Sequence, residues 1–292
     1  MRVHIDNKEN IKIKNEIEKY IKPQIIYIPL ENKNGVMYKH LVKEGDYVYK
    51  GQVVAIDKKT NFPLHSSVSG NVITGTMKII SNGKKIKCIV IENDFKEKYE
   101  TKLGSKRNIA NYTKEEFLSM LKTHGITGLG GSDLPTYLKY STDAKINYLV
   151  INGVECESYI SCDKAIMRNY AEDILEVVDA ILEIMNIKKA YIAVKINDFK
   201  TINAFSKYIG TYPNIKIYGI SDSYPSGWQK NVIKDIFNIE YDKHASDIGI
   251  IENNVSTIYA IFEMLKYNRP LTERVITITG SGIKKPVNAK VK

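Results

Sequence analysis

Two neighbouring segments carry residue types that could hold a phosphate-bearing ring cofactor. The first is the glycine-rich loop GITGLGGSDLPTYLK at residues 125–139, and the second is INYLVINGVECES at residues 146–158. Glycines let backbone N–H groups approach a phosphate closely, and Lys139 adds a positive charge. The polar residues of the second segment follow an apolar run, at the strand end where open α/β sheets hold ligands. Together the segments predict a cofactor site between the loop and the strand end.

The glycine loop is not a dinucleotide fingerprint. The pattern G-x-G-x-x-G would continue from Gly128 and Gly130 to a third glycine, but Asp133 stands there. The loop also follows a helical pattern at 115–123, whereas the fingerprint needs a strand before it and a helix after it. A Rossmann-type phosphate loop is therefore excluded.

The same residues resemble the NADH/flavin module shared by the RnfC component of the Rnf electron-transport complex and the flavoprotein subunit of respiratory complex I. The matching pieces are GLGGSDLPTYLK, LVINGVECES, SDSYPSGWQK and IENNVSTIYAI. The front of the chain is similar to the lipoyl-like domain that precedes the flavin fold in the RnfC group. The Gly-Trp-Gln turn is most similar to a soluble relative associated with proline reductase.

This resemblance implies an electron-transfer flavoprotein subunit. Non-covalent FMN would take a hydride from NADH, and electrons would leave singly to 4Fe-4S clusters outside this segment. The partners would be other subunits of an electron-transfer complex or a reductase. Two alternatives remain open: a flavin-free scaffold or docking subunit, and a lipoyl-type carrier modified at Lys58.

The resemblance also implies the residues of the site. The glycines would face the flavin phosphate and ring edge, Lys139 would lie near the ring, and the asparagines and Thr257 would bind phosphate at a helix N-terminus. Cys156 is expected to be a small buried filler, and no catalytic residue or metal ligand is predicted. The predicted cofactor-binding residues are Gly128, Gly130, Gly131, Lys139, Asn152, Glu155, Cys156, Glu157, Tyr224, Gly227, Asn253, Asn254 and Thr257.

Four positions depart from the family pattern. Asp133 stands where the family has glycine, and a carboxylate there would repel a phosphate unless it turns away. Leu134 replaces a phenylalanine that commonly stacks on the nicotinamide. Gln229 replaces a glutamate beside the flavin, and Val154 replaces the acid found in complex I.

The pattern of elements predicts an α/β protein: an N-terminal lipoyl-like all-β barrel-sandwich domain, then a Rossmann-like α/β FMN/NADH-binding domain with a mainly parallel sheet. Short alternating segments between residues 25 and 91 indicate the first, and alternating strands and helices from 146 onward indicate the second. The expected division is an arm at 1–22, the barrel-sandwich at 23–95, a linker at 96–112, the FMN/NADH domain at 113–272 and the start of a truncated β-grasp domain at 273–292.

Composition narrows the function classes. The net charge of +10 comes mostly from lysines spread along all 292 residues, which does not indicate a nucleic-acid patch. No run approaches the roughly 20 apolar residues of a membrane span. The three cysteines form no CxxC pair and are too few for an Fe–S cluster. We therefore expect a cytoplasmic protein, or one placed on the inner face of the cell membrane by its partners.

Overall fold

A computed structural model describes residues 13, 16–18, 22–79, 83–100, 103–109 and 112–292. Most of the expected arm at 1–22 lies outside these described residues. Within it, strand β1 (Ile17–Glu18) pairs in parallel with a strand at the other end of the chain. No helix in the described ranges has both the length and the apolar character that crossing a bilayer requires.

The N-terminal part is a β-sandwich of two antiparallel sheets. Its strands are β2 (Ile25–Pro29), β3 (Tyr38–His40), β4 (Tyr47–Val48), β5 (Val53–Asp57), β6 (Pro63–His65), β7 (Gly70–Ile79) and β8 (Lys85–Asn93). One sheet has the order β2-β8-β7-β4 and the other β3-β5-β6. Inward-facing aliphatic side chains from both sheets, such as Val54 and Ile91, form one core. This is the predicted barrel-sandwich.

Gly70 shows why the sandwich needs a glycine where β7 begins. A Cβ on Gly70 would lie 1.9 Å from the backbone oxygen of Glu92 on the neighbouring strand. Any side chain would therefore separate β7 from β8 at their tightest approach.

The second part is a parallel sheet with helices on both faces. Its elements are α1 (Lys114–Thr123), α2 (Tyr137–Tyr140), β9 (Tyr148–Asn152), α3 (Cys162–Asn169), α4 (Ala171–Ile184), β10 (Lys189–Lys195), α5 (Phe199–Ser206), β11 (Ile215–Ile220), α6 (Gln229–Phe237), β12 (Ile250–Asn254) and α7 (Val255–Tyr267). The strand order is β11-β10-β9-β12, and all three pairings are parallel. The predicted mainly parallel α/β domain is confirmed.

Strand β9 shows how the sequence covers both faces. Leu149 and Ile151 point into the core shared with α1, α4 and α7, whereas Val150 points to the other face, which α6 covers. This alternation lets an almost wholly apolar strand be buried on two sides. Helix α1 begins with a capping box: the Thr113 side chain accepts from the Glu116 amide at 3.2 Å, and the Glu116 carboxylate accepts from the Thr113 amide at 2.8 Å.

The last strand of the chain lies between two partners. Strand β13 (Arg274–Ile278) pairs antiparallel with β14 (Val287–Val291), and the other edge of β14 pairs with β1. The result is a three-stranded sheet, β1-β14-β13, that joins the described ends of the chain.

A buried ion cluster lies where the sandwich meets the rest of the molecule. Lys50 contacts the carboxylates of Glu97 and Glu273 at 2.7 and 2.6 Å, and Glu97 also pairs with Lys292. Burial opposes the charge on Lys50, but the hydrogen bonds with the two glutamates outweigh this and raise its pKa. The cluster therefore links the sandwich to β13 and β14 through charges that have lost most of their water.

Candidate functional site

A cavity of about 530 Å³ lies at the carboxyl edge of the parallel sheet. The ends of β9 and β12 adjoin there, since Asn152 is in register with Asn254. The volume is within the usual range of small-molecule and cofactor sites. Its walls come from the glycine loop, the two strand ends, the loop after β9 and the turn before α6. The lining residues are Gly128, Leu129, Gly130, Ser132, Lys139, Asn152, Val154, Glu155, Glu157, Ile160, Cys162, Asp163, Gly227, Trp228, Gln229, Glu252, Asn253, Asn254, Thr257 and Arg274.

The glycine loop is fixed against the N-terminus of α7. The Leu129 amide donates to Thr257 Oγ1 at 2.9 Å, and the Arg274 guanidinium donates to the Leu129 carbonyl at 3.1 Å. A Cβ on Gly130 would lie 2.9 Å from Asn254 Cβ. Glycine is therefore required at 130 because the loop packs directly on the first residues of the helix.

Asp133 turns away from the cavity. Its carboxylate lies 2.9 Å from Lys33 Nζ of the sandwich, and neither Asp133 nor its neighbour Leu134 lines the cavity. Asp133 has φ +51°, a left-handed conformation that aspartate tolerates better than most residues. The repulsion of a phosphate expected from this position is thereby relieved.

The asparagines at the strand ends brace the cavity wall. Asn152 donates to the Gly227 carbonyl at 2.9 Å and accepts from the Val154 amide at 3.1 Å. Asn254 caps α7 by accepting from the Ser256 amide at 2.8 Å, and its own amide group donates to Asp163 at 2.6 Å. Both side chains thus hold protein elements in place, and each keeps one further N–H for a ligand.

Asn253 differs because its carbonyl end has no protein partner within the described structure. Its amide group donates to the buried Tyr140 hydroxyl at 2.7 Å. Burial and the nearby Glu252 raise the pKa of Tyr140, so that hydroxyl stays protonated. Asn253 is therefore held in one orientation beside the cavity.

Two buried carboxyl groups connect the loop after β9 to α7. Glu155 accepts from the backbone amides of Asp163 and Lys164 at 2.9 and 3.1 Å, at the start of α3. Asp163 in turn accepts from Asn254 and from the Ser256 hydroxyl at 2.5 Å. These bonds form a continuous connection from the strand end of β9 to the N-terminus of α7.

The carboxyl groups of Glu155 and Asp163 both have raised pKa values. Burial, together with the charge of Asp163, raises the pKa of Glu155 to about 7. Burial also raises the pKa of Asp163, although hydrogen bonds from Ser256 and Asn254 and the charge of Arg274 oppose the shift. Cys162 lies beside them, and burial raises the pKa of its thiol to about 12. At neutral pH the pair therefore retains part of a proton and Cys162 remains a thiol.

Glu155, Cys162 and Asp163 are the residues in the described ranges with the geometry of a metal-ligand group, since their ligand atoms lie within 4.8 Å of one another. The Cys162 thiol already donates to Glu155 at 3.5 Å, and the carboxylates accept the bonds described above. These contacts explain the cluster as a brace, and we assign no metal to it.

Two cations reach the cavity. Lys139 Nζ donates to the backbone oxygen of Glu252 at 2.7 Å and lies 3.6 Å from its carboxylate. Arg274 is exposed at the rim and donates to the glycine loop. Glu155, Glu157, Asp163 and Glu252 also line the wall, so the cavity carries groups of both signs.

The structure brings ten of the predicted binding residues to one cavity. These are Gly128, Gly130, Lys139, Asn152, Glu155, Glu157, Gly227, Asn253, Asn254 and Thr257. Three predicted residues do not line it: Gly131, Cys156 and Tyr224. Gly131 has φ +104° and makes the bend of the loop, Cys156 is buried behind the wall, and the Tyr224 ring packs edge-on against Trp228 at 6.2 Å.

Sequence reasoning missed several residues that shape the cavity, among them Asp163, Trp228, Glu252 and Arg274. Glu252 could have been found, because it precedes Asn253 at the end of an apolar strand. Trp228 lies in the same turn as the predicted residues Tyr224 and Gly227, and it is 56% exposed at the mouth of the cavity. Asp163 and Arg274 lie on elements whose approach to the site depends on tertiary packing.

Comparison with known proteins matches both parts of the chain. The RnfC barrel sandwich hybrid domain matches residues 2–96, and the Nuo51 FMN-binding domain matches residues 121–263. The NAD+-reducing [NiFe]-hydrogenase in its H2-reduced state has a similar fold, with a TM-score of 0.54 and 15% identity, over 63% of this chain and 38% of that one.

Curated relatives match almost the whole chain at 30% identity. The C subunit of the ion-translocating oxidoreductase complex of Rhodobacter capsulatus aligns with 99% of this chain and 57% of its own length. The corresponding subunit of the proton-translocating ferredoxin:NAD(+) oxidoreductase complex of Clostridium ljungdahlii aligns over 99% and 64%, and its Na(+)-translocating counterpart of Acetobacterium woodii over 93% and 62%. The chain thus spans less than two thirds of these relatives. Over the part that it shares with them, it is a homologue of these Rnf-complex C subunits, with a match to the RnfC barrel sandwich hybrid domain followed by a match to the Nuo51 FMN-binding domain.

Proposed function

We propose that the cavity binds FMN without a covalent bond and that the chain is an electron-transfer flavoprotein subunit. The observation that carries the proposal is the cavity at the carboxyl edge of the sheet, with the carboxylate of Asp133 paired to Lys33 and directed away from it. Its volume suits a mononucleotide. Its wall also offers the two kinds of surface that FMN needs, one for an anion and one for a flat ring.

The anionic end fits the side of the cavity next to α7. The N-terminus of this 13-residue helix carries a partial positive charge, and Gly130 lets the loop backbone approach it. Arg274 adds a guanidinium from the rim. Asn254 and Asp163 keep the first turn of α7 in place, so we assign them a positioning role.

The ring end fits the side formed by the loop after β9 and the turn before α6. Val154, Ile160 and Trp228 present apolar surface there, and Gln229 and Glu157 present polar edges. Gln229 and Val154 both stand where relatives have an acid, so this wall carries fewer negative charges beside the ring. Lys139 would place its ammonium near the ring, where a cation stabilises the reduced anionic form of a flavin.

When bound, FMN would supply the chemistry that links a two-electron hydride transfer to single-electron steps. We infer NADH as the donor and 4Fe-4S clusters outside this segment as the acceptors. The relatives are named as subunits of ion-translocating ferredoxin:NAD(+) oxidoreductase complexes, which supports partner subunits for this chain and a place beside a membrane. The residues of the cavity wall would bind FMN and orient its ring. The domain boundaries expected from the sequence remain proposals.

Titration of the purified apoprotein with FMN tests this proposal. Flavin fluorescence should be quenched at micromolar protein with a stoichiometry of one, and NADH should bleach the bound flavin. No quenching at micromolar protein would reject FMN binding and favour the flavin-free scaffold. Riboflavin is the matched control ligand, since it lacks the phosphate that α7 and Arg274 would hold.

A further inference from the structure

We propose that Lys33 of the sandwich is a positioning residue for the glycine loop, and that this contact makes the sandwich part of the mononucleotide site. The inference rests on the proposed FMN function. Lys33 Nζ donates to the backbone oxygen of Gly131 at 3.0 Å and pairs with the Asp133 carboxylate at 2.9 Å. Both partners lie in the loop whose other side faces the cavity.

The loop that carries Lys33 is itself well ordered. It connects β2 to β3, and the Asn32 side chain accepts from the amides of Asn34 and Val36 at 2.9 and 3.0 Å. Backbone bonds close the same turn, because the Asn32 amide donates to the Val36 carbonyl and the Gly35 amide donates to the Asn32 carbonyl. Lys33 is therefore presented from a fixed turn, so less conformational entropy is lost when its ammonium is held.

The two ends of the glycine loop also rest on the sandwich. At the first end, a Cβ on Gly125 would lie 3.2 Å from both the Pro63 oxygen and His65 Nδ1. At the second end, the Tyr137 ring stacks on Phe62 with centroids 6.1 Å apart. Lys33 contacts the middle, so the sandwich supports the loop at three points.

The middle of the loop is the part that most needs support. Gly131 and Asp133 both have positive φ, +104° and +51°. The Asp133 amide donates to the Gly128 carbonyl over a long 3.3 Å. A non-glycine residue in this conformation stores strain that surrounding contacts must hold. The Lys33 ammonium holds both positions at once, one through its carbonyl and one through its carboxylate.

The contact also gives the sandwich a role at the site that needs no lipoyl group. The surface of the sandwich that carries Lys33 contacts the loop that would hold the cofactor and fixes the conformation of that loop. Asp133, which would repel a phosphate if it faced the cavity, becomes the loop's half of an ion pair.

FMN affinity and loop exchange in matched lysine variants test the proposal. Lys33→Ala should weaken FMN binding about two- to fivefold, the scale of a partly exposed ion pair, and Lys33→Arg should stay near wild type. Lys39→Ala removes an exposed lysine of the same domain that has no ion pair within the described structure, and it should change nothing. The Lys33→Ala effect should shrink in about 1 M salt, where screening acts within roughly 3 Å.

A double-mutant cycle distinguishes loss of this contact from general destabilisation of the protein. Asp133→Asn keeps a residue that tolerates the left-handed conformation but removes the charge. Lys33→Ala with Asp133→Asn should weaken binding no more than Lys33→Ala alone, because the ion pair is already broken in that single variant. Additive losses, or wild-type FMN affinity in Lys33→Ala, would overturn the proposal.

Amide hydrogen exchange at residues 128–134 separates this inference from the proposed function. It needs no FMN, so it gives an answer even if the wild-type protein binds none. Faster exchange in Lys33→Ala than in wild type and Lys39→Ala would support the positioning role. Equal exchange in all three would refute it, whatever the FMN titration shows.

Discussion

Gly130→Ala is the substitution that tests most sharply how the glycine loop packs on α7. The new Cβ would lie 2.9 Å from Asn254 Cβ and 3.3 Å from Asn254 Cγ. Carbon atoms in favourable contact are about 3.5–4.0 Å apart, so the shortfall is at least about 0.6 Å. The backbone of Gly130 does not have a positive φ. The added methyl group, and not the backbone, is therefore the source of the cost.

Asn254 cannot turn aside without losing its bonds. Its amide group holds Asp163 at 2.6 Å, and its oxygen accepts from the Ser256 amide at 2.8 Å. Overpacking of this kind costs about 1–3 kcal/mol, and loss of an N-cap costs about 1 kcal/mol. If half of that cost, about 1.4 kcal/mol, is relieved by moving the loop away from the site, FMN affinity falls about tenfold.

The assay pairs FMN titration with thermal unfolding of the same preparations. Gly210→Ala is the matched control, because no atom lies within 4 Å of a Cβ there and its φ is not positive. Gly130→Ala should bind FMN about tenfold more weakly and unfold at a lower temperature, while Gly210→Ala should match wild type. Wild-type FMN affinity in Gly130→Ala would refute the packing of the loop on α7.

The remaining predictions concern charged groups. The pKa of Glu155 in the folded protein is about 7, above its ordinary 4.5, so ionisation of Glu155 opposes folding. The free energy of unfolding should therefore fall as pH rises from about 4.5 to 7. Denaturant melts measured over this pH range should show a flatter profile for Glu155→Gln. Burial and the charge of His124 lower the pKa of His65 to about 4 from 6.5, so stability should fall as pH drops from about 6.5 to 4. A His65→Gln variant measured the same way should show a weaker dependence, and His124, whose pKa burial also lowers, contributes the rest. The two groups act in opposite directions between about pH 4.5 and 6.5, so a wild-type profile alone cannot test either. Arg274→Gln should weaken FMN binding about tenfold and riboflavin binding much less in fluorescence titrations. The guanidinium would contact the phosphate in addition to the Leu129 carbonyl, and equal losses for both ligands would contradict that role.

The architecture was predictable because it rests on local patterns. Short alternating segments marked the sandwich, and apolar runs followed by helical spacing marked the parallel sheet. Helix α3 was not predicted, because it is only eight residues long and its polar residues are paired across the fold. Strand β14 was not predicted either. VNAKV does alternate apolar and polar residues, but it is only five residues long, and it becomes a strand through its two neighbours.

The site was predictable in membership but not in roles. Asn152 and Asn254 were expected to bind the cofactor, and the structure shows them first as braces, since their partners are the Gly227 carbonyl and Asp163. From the sequence, the Asp133 carboxylate was expected to repel a phosphate unless it turned away, and a residue distant in the sequence holds it away from the cavity. Its partner Lys33 is 100 positions earlier in the chain and in a different domain, so no local pattern connects the two.

Soaking FMN into crystals of this chain would test the central claim most directly. Difference density should show one mononucleotide in the cavity between Gly130, Asn152 and Gly227, with the phosphate at the N-terminus of α7 beside Arg274. The Lys33–Asp133 pair should remain intact. Density at another place, or a cavity that stays free of FMN at millimolar soaking concentration, would contradict the account.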